Sequence, residues 1–188
     1  MSFMRFLSGR PGEPPTAGGP APAELSAETE TVRRIVARLE ALPPETARLL
    51  ACLAYVLARA AYADLEISDA ETVAMEHELN ASGLDPSQAV LVVEMAKLQE
   101  KTGDGTSDYG VTREFRELST PEQKITALRA CYRVCTADDA ISGMEISMLD
   151  EIASELDIPR EDVAAVRAEF ADKITARFGF GAPAAERA

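Results

Sequence analysis

An all-α fold, a single compact domain of about seven to eight helices built from two similar helical-hairpin repeats, is what the sequence predicts from its apolar periodicity. Three observations carry that prediction. Aromatic residues make up only 5% of the chain and β-branched residues form no alternating runs, which disfavours strands. Apolar residues recur instead at i, i+3, i+4 and i+7 through most of the length, as in Val32, Ile35, Val36 and Leu39. Finally, the stretch Ala63-Asp64-Leu65-Glu66-Ile67-Ser68-Asp69-Ala70-Glu71 returns 74 residues later as Ala137-Asp138-Asp139-Ala140-Ile141-Ser142-Gly143-Met144-Glu145, each time between two helical patterns. With 188 residues the chain is long enough for one domain with a proper core and too short for two ordinary ones.

Residues 1–26 are rich in Gly, Pro and Ala and predict a disordered arm, tipped by the apolar group Phe3, Met4, Phe6 and Leu7 with Arg5 among them. The helical domain is expected over residues 27–178. Its first helix spans Glu28 to Ala41 and stops at Pro43-Pro44. The next, Glu45 to Ala63, carries an apolar band through Leu49, Leu50, Cys52, Leu53, Val56, Leu57 and Ala60, wide enough for a central buried element. After the first acidic turn a helix from Asp69 to Ser82 ends at Gly83, in the C′ role. Pro86 then takes N1 of a helix to Gln99. Thr102 to Gly110 reads as a polar loop, Thr112 to Leu118 as a short helix, and Thr120-Pro121 as the capped start of a helix to Ala137. Beyond the second acidic turn, Ile146, Leu149, Ile152, Ala153 and Leu156 make another stripe, and a last helix runs from Pro159 through Val163, Val166, Phe170 and Ile174. Residues 179–188 read as a tail.

The repeated turns hold the only chemistry that rises above packing. Ser68 with Glu71, and Ser142 with Glu145, fit a capping box, and Ile67 and Ile141 stand where a hydrophobic staple fixes the angle at which the chain enters the helix. Capping leaves Asp64 and Asp138 unexplained, because each closes the preceding helix at the negative end of its dipole. Two readings stand side by side: acidic turn and cap chemistry alone, or a cation held by the pairs Asp64 with Glu71 and Asp138 with Glu145. Hard carboxylate oxygens suit Ca²⁺, Mg²⁺ or Mn²⁺.

The two copies, Ala-Asp-Leu-Glu-Ile-Ser-x-x-Glu and Ala-Asp-Asp-Ala-Ile-Ser-x-x-Glu, resemble the Ala-Asp-Gly-x-Ile-x-x-x-Glu signature of the TerB-like family of tellurite-resistance proteins. Ser107 to Glu114 followed by Leu118-Ser119 resembles the linker of a branch of that family, and the likeness covers roughly residues 28 to 178. The resemblance implies an all-helical domain, a divalent-metal site on Asp64, Glu71, Asp138 and Glu145, and a role in tellurite or chemical stress response. Related domains also stand at the N-terminus of a membrane-anchored J-domain co-chaperone, so the alternative is a protein–protein interaction or co-chaperone-type adaptor with no metal. The family glycine is replaced by Leu65 in one copy and Asp139 in the other. If that position needs a positive φ, Asp139 tolerates it and Leu65 does so poorly, which favours the second site.

Composition narrows the rest. A formal net charge of −13 disfavours phosphate contacts and hence nucleic acid, and favours cations and basic partners. Cys52, Cys131 and Cys135, odd in number and set in apolar helices, predict buried free thiols and a reducing compartment. No uninterrupted apolar run approaches the roughly 20 residues of a membrane span, so the expected location is cytoplasmic, with peripheral membrane contact through the arm and an unidentified protein partner left open. His77 lies six residues beyond Glu71 and reads as a surface residue rather than a ligand. The loop beginning at Asp104 fails as an EF-hand, since position 6 is Tyr109 and position 12 is Phe115. With no nucleophile beside a base, and no glycine-rich phosphate loop, the expectation is a protein that is not an enzyme.

Overall fold

The computed structural model describes residue 37, residues 41–102 and residues 108–174. The N-terminal arm, nearly all of the helix expected from Glu28 and the tail from residue 179 lie outside the described residues. Those described form seven α-helices and no strand, an all-α single domain: α1 Pro44–Ala61, α2 Asp69–Ala81, α3 Pro86–Thr102, α4 Asp108–Leu118, α5 Pro121–Cys135, α6 Gly143–Glu155 and α7 Arg160–Glu169.

The centre is α1, whose nearly all-round apolar sequence leaves Ala54, Val56, Leu57, Ala58 and Ala60 with no solvent contact. Its alanines let neighbours approach closely, and it packs against α2, α3, α4, α5 and α6. By length and composition Pro44–Asp64 would suffice to cross a membrane, but 61% of that window is buried inside the domain, as for the core helix of a globule. A single turn of 3-10 helix, Tyr62–Asp64, extends α1 into the first acidic corner.

Beside α1 lies α5, and two weak thiol hydrogen bonds fix its direction. Cys131 donates to the Val56 carbonyl at 4.0 Å and Cys135 to the Ala60 carbonyl at 3.7 Å. A step of four residues along one helix matches a step of four along the other, so the two run side by side in the same direction. Parallel helices that each lead into an acidic corner put both corners at one end of the molecule.

Helix starts follow one local pattern. Thr120 caps α5, while Ser68 and Ser142 cap α2 and α6, all three in capping boxes. Both α2 and α6 end in Schellman motifs: Gly83 and Asp157 take positive φ, and the next amides reach back from Leu84 to Leu79 and from Ile158 to Ala153, at 3.2 and 3.1 Å.

Four boundaries differ from expectation. Helix α3 continues to Thr102 and α4 begins at Asp108, because Val111, Thr112 and Phe115 dock one face of α4 in the core and carry helix further upstream than the loop chemistry suggested. Helix α5 stops at Cys135, two residues before Ala137. The last helix ends at Glu169, short of Ile174. After three turn residues the Ile141 amide donates to the Lys173 carbonyl at 2.9 Å, and Ile174 makes a parallel bridge with Ile141. The apolar residue that looked like a further helical turn packs as a brace on the second corner instead.

Candidate functional site

Each corner is built the same way. The chain leaves its first helix, turns through one residue of positive φ, extends to an isoleucine, and starts the next helix at a serine. The turning residue is Leu65 at φ 72° in the first corner and Asp139 at φ 89° in the second. The family glycine position therefore does demand left-handed backbone, and Leu65 meets that demand with its side chain 75% exposed.

The serine and glutamate then close the cap. Glu71 Oε2 accepts from the Ser68 amide at 2.8 Å, and the Ser68 hydroxyl oxygen accepts from the Glu71 amide at 3.1 Å. In the second corner the matching distances are 2.6 and 3.2 Å. In both caps it is Oε2 of the glutamate that accepts from the serine amide. Capping also draws these carboxylates inward: Glu71 is only 5% exposed and Glu145 only 6%. Asp64 and Asp138 remain on the exposed rim, with Asp64 Oδ1 accepting from the Glu66 amide at 3.2 Å.

Because α1 and α5 are parallel, the corners act on one another. Burial pushes the Glu71 carboxyl above its usual range; the Ser68 hydrogen bonds oppose this, and the negative charges of Asp138 and Glu145 add to it. The charged groups that add to this shift come from the other corner, while the partner that opposes it, Ser68, belongs to its own. Cys135 lies beneath: burial raises its thiol well above the ordinary value, helped by the charges of Glu145 and Glu71 on either side. Cys131 and Cys52 are pushed up to about 12, again chiefly by burial. All three cysteines of the chain are free, buried and protonated at neutral pH.

The donor chemistry fits a hard cation, since carboxylates with room for water suit Mg²⁺ or Mn²⁺, which bind through one or two carboxylates and retain several waters. A closed protein cage is another matter. Among the described residues no group of three or more His, Cys, Asp or Glu side chains is arranged to enclose a metal. His77, with its side chain 80% exposed and its Nδ1 3.9 Å from Glu78, stands apart from the corners as a surface residue.

Sequence reasoning missed two ion-pair groups centred on the buried Arg59 and the buried Glu78. Arg59, 3% exposed on α1, donates to Glu155 at 2.6 Å, Glu151 at 2.7 Å and the Thr112 hydroxyl at 3.1 Å. Arg133 on α5 donates to both oxygens of Glu78 on α2, at 2.6 and 2.5 Å. The signal was present: Arg59 and Arg133 are 74 residues apart, the same offset as the corners, each five residues before the corner aspartate.

The family model described as "Tellurite resistance protein TerB" matches residues 49–168, more than half of the chain, and the chain belongs to that family. No curated protein and no solved structure matches it.

Proposed function

We propose that this TerB-family domain is a non-enzymatic cytoplasmic module that binds a divalent cation, Ca²⁺, Mg²⁺ or Mn²⁺, where its two acidic corners meet, and serves in tellurite or chemical stress response. Glu71 and Glu145 would supply carboxylate oxygens, Asp138 a further carboxylate, and Asp64 a rim charge that draws cations in. One observation supports the reading: Glu71 and Glu145, one from each corner, are both buried at the same end of the molecule, where a positive ion would relieve their repulsion. The state of the thiols argues for the same class of activity. A tellurium oxyanion handled by sulfur chemistry needs an accessible thiolate, and the three cysteines are buried and protonated.

Calorimetric titration of the full chain with Ca²⁺, Mn²⁺ and Mg²⁺ tests the proposal. Binding tighter than millimolar, abolished by Asp138→Ala with Glu145→Ala, is the expected outcome; binding untouched by those changes, or none in the parent, removes the site.

A second reading, an adaptor that recruits a protein partner without metal, is favoured by the completeness of the caps and by the lack of a three-ligand cage among the described residues. On that reading Glu145→Ala costs about 1 kcal/mol of stability through the lost cap and alters no ion affinity.

A further inference from the structure

Five helices stand round α1, and they do not close the circle. Helix α3 packs on α2, α2 on α5, α5 on α6 and α6 on α4, and each of them packs on α1, whereas α3 and α4 make no substantial contact with one another among the described residues. A helix has room for about six neighbours of its own width at the usual spacing of about 8–10 Å, so a place beside α1 is left between α3 and α4. The α3 side of that place is apolar. Lys97 of α3 turns to α2, donating to the Thr72 hydroxyl at 3.1 Å, and Leu91, Met95 and Leu98, at i, i+4 and i+7, lie on a flank turned away from it. Leu91 and Met95 are partly buried and Leu98 is 64% exposed. On the α4 side, Arg48 of α1 pairs with Glu114.

We propose that residues 28–36 fill this place: a helix that ends at Ala41 lays Val32, Ile35 and Val36 against the Leu91 and Met95 flank of α3 and straps the start of α1. The chain is already helical at Ala37, and the Ala41 amide donates to the Ala37 carbonyl at 3.1 Å, the bond of an α-helix. Leu42 and Pro43 alone separate Ala41 from α1, and Leu42 packs against the core. Two helices joined by so short a connection lie side by side and antiparallel. A helix from Glu28 to Ala41 is about 21 Å long, within the roughly 27 Å of the 18-residue α1. Val32, Ile35 and Val36 share one face of it, and Ala37, which is exposed, falls on the opposite face. So short a helix is marginal in water by itself, and burial of its apolar face against α3 is what holds it. The strap stands outside residues 49–168, which the family model matches, and it does not depend on the cation reading.

Amide hydrogen exchange of the full chain, followed peptide by peptide, tests the strap. Amides of residues 32–36 are expected to exchange at least about tenfold more slowly than in an isolated peptide of residues 28–41. Met95→Glu puts a charge on the α3 flank and should return those amides to the peptide's rate. Leu98→Glu, at an exposed position, decides the question if Met95→Glu does not fold, and the same direction of change is expected. As a control, Val73→Glu alters an exposed apolar residue of α2 and should leave the protection as it is. Peptide-like exchange of residues 32–36 in the parent chain, protection that survives in the folded flank variants, or an equal loss in the Val73 control overturns the proposal. Protection that disappears on dilution, together with a dimer mass by light scattering, also overturns it, and assigns the place beside α1 to a second copy of the chain.

Discussion

The two acidic corners share a design and differ in how firmly they are made. In the second, Ile141 has no solvent contact, its amide is held by the Lys173 carbonyl, and the left-handed position is filled by an aspartate. In the first, Ile67 is only partly buried, no backbone brace is recorded among the described residues, and a leucine takes the left-handed position with its side chain in water. Two copies of a motif can thus share their caps and carboxylates while differing in the turning residue and in the bracing around it. The lesson concerns which parts of the motif the fold requires: serine and glutamate in both places, the turning residue in neither.

Core truncation should separate the corners most. Ile141→Ala is expected to lower stability by about 3 kcal/mol, within the usual range for emptying a sealed site, whereas Ile67→Ala should cost about 1 kcal/mol because its side chain already meets solvent. Urea unfolding of the two variants measures this; equal losses would mean that the deeper burial of Ile141 adds nothing to the second corner.

A smaller effect of opposite sign is expected at the turning residues. Leu65→Gly relieves a left-handed leucine and should raise stability by about 0.5–1 kcal/mol, after allowing for the greater freedom that glycine gives the unfolded chain. Asp139→Gly should change little, since aspartate tolerates this backbone. Melting curves that show both variants destabilised would refute the strain assigned to Leu65.

The least effect lies in the pH response. Glu71 has a folded pKa raised above its unfolded value, so the native state holds the proton more tightly than the unfolded chain does. Its contribution is therefore most favourable in acid and is lost as pH rises from the ordinary carboxylate range through the folded value. Glu71→Gln keeps an acceptor for the Ser68 amide and removes the charge. Its stability relative to the parent should climb over that window and level off above it, and a saturating divalent cation should reverse the advantage. A difference that stays flat with pH would show that burial and the neighbouring charges leave the Glu71 carboxyl unshifted.

Much of this was legible in the chain. Capping boxes at Ser68 and Ser142, the Thr120-Pro121 start of α5, Gly83 at its C′ position and the burial of the three cysteines follow from local patterns of a few residues, where the physics is local too. What could not be read is what depends on α1 and α5 running parallel. Periodicity identifies which face of a helix is buried and says nothing about the direction of its neighbour, so Asp64 with Glu71 and Asp138 with Glu145 read as two separate pairs. The end of α7 was misjudged for a related reason: Ile174 fits the helical stripe, yet its apolar surface is used against Ile141. Arg59 and Arg133 were passed over because a charge in an apolar band looks like a break in the pattern.

The crossed grip of the arginines also bears on what the smallest viable form of this molecule is. A fragment of residues 41–102 would keep Arg59 but not Glu151 or Glu155, and Glu78 but not Arg133. Neither hairpin is a miniature of the whole, and the requirement is met only when two of them embrace, whether along one polypeptide or as a pair of shorter ones exchanging their second helices.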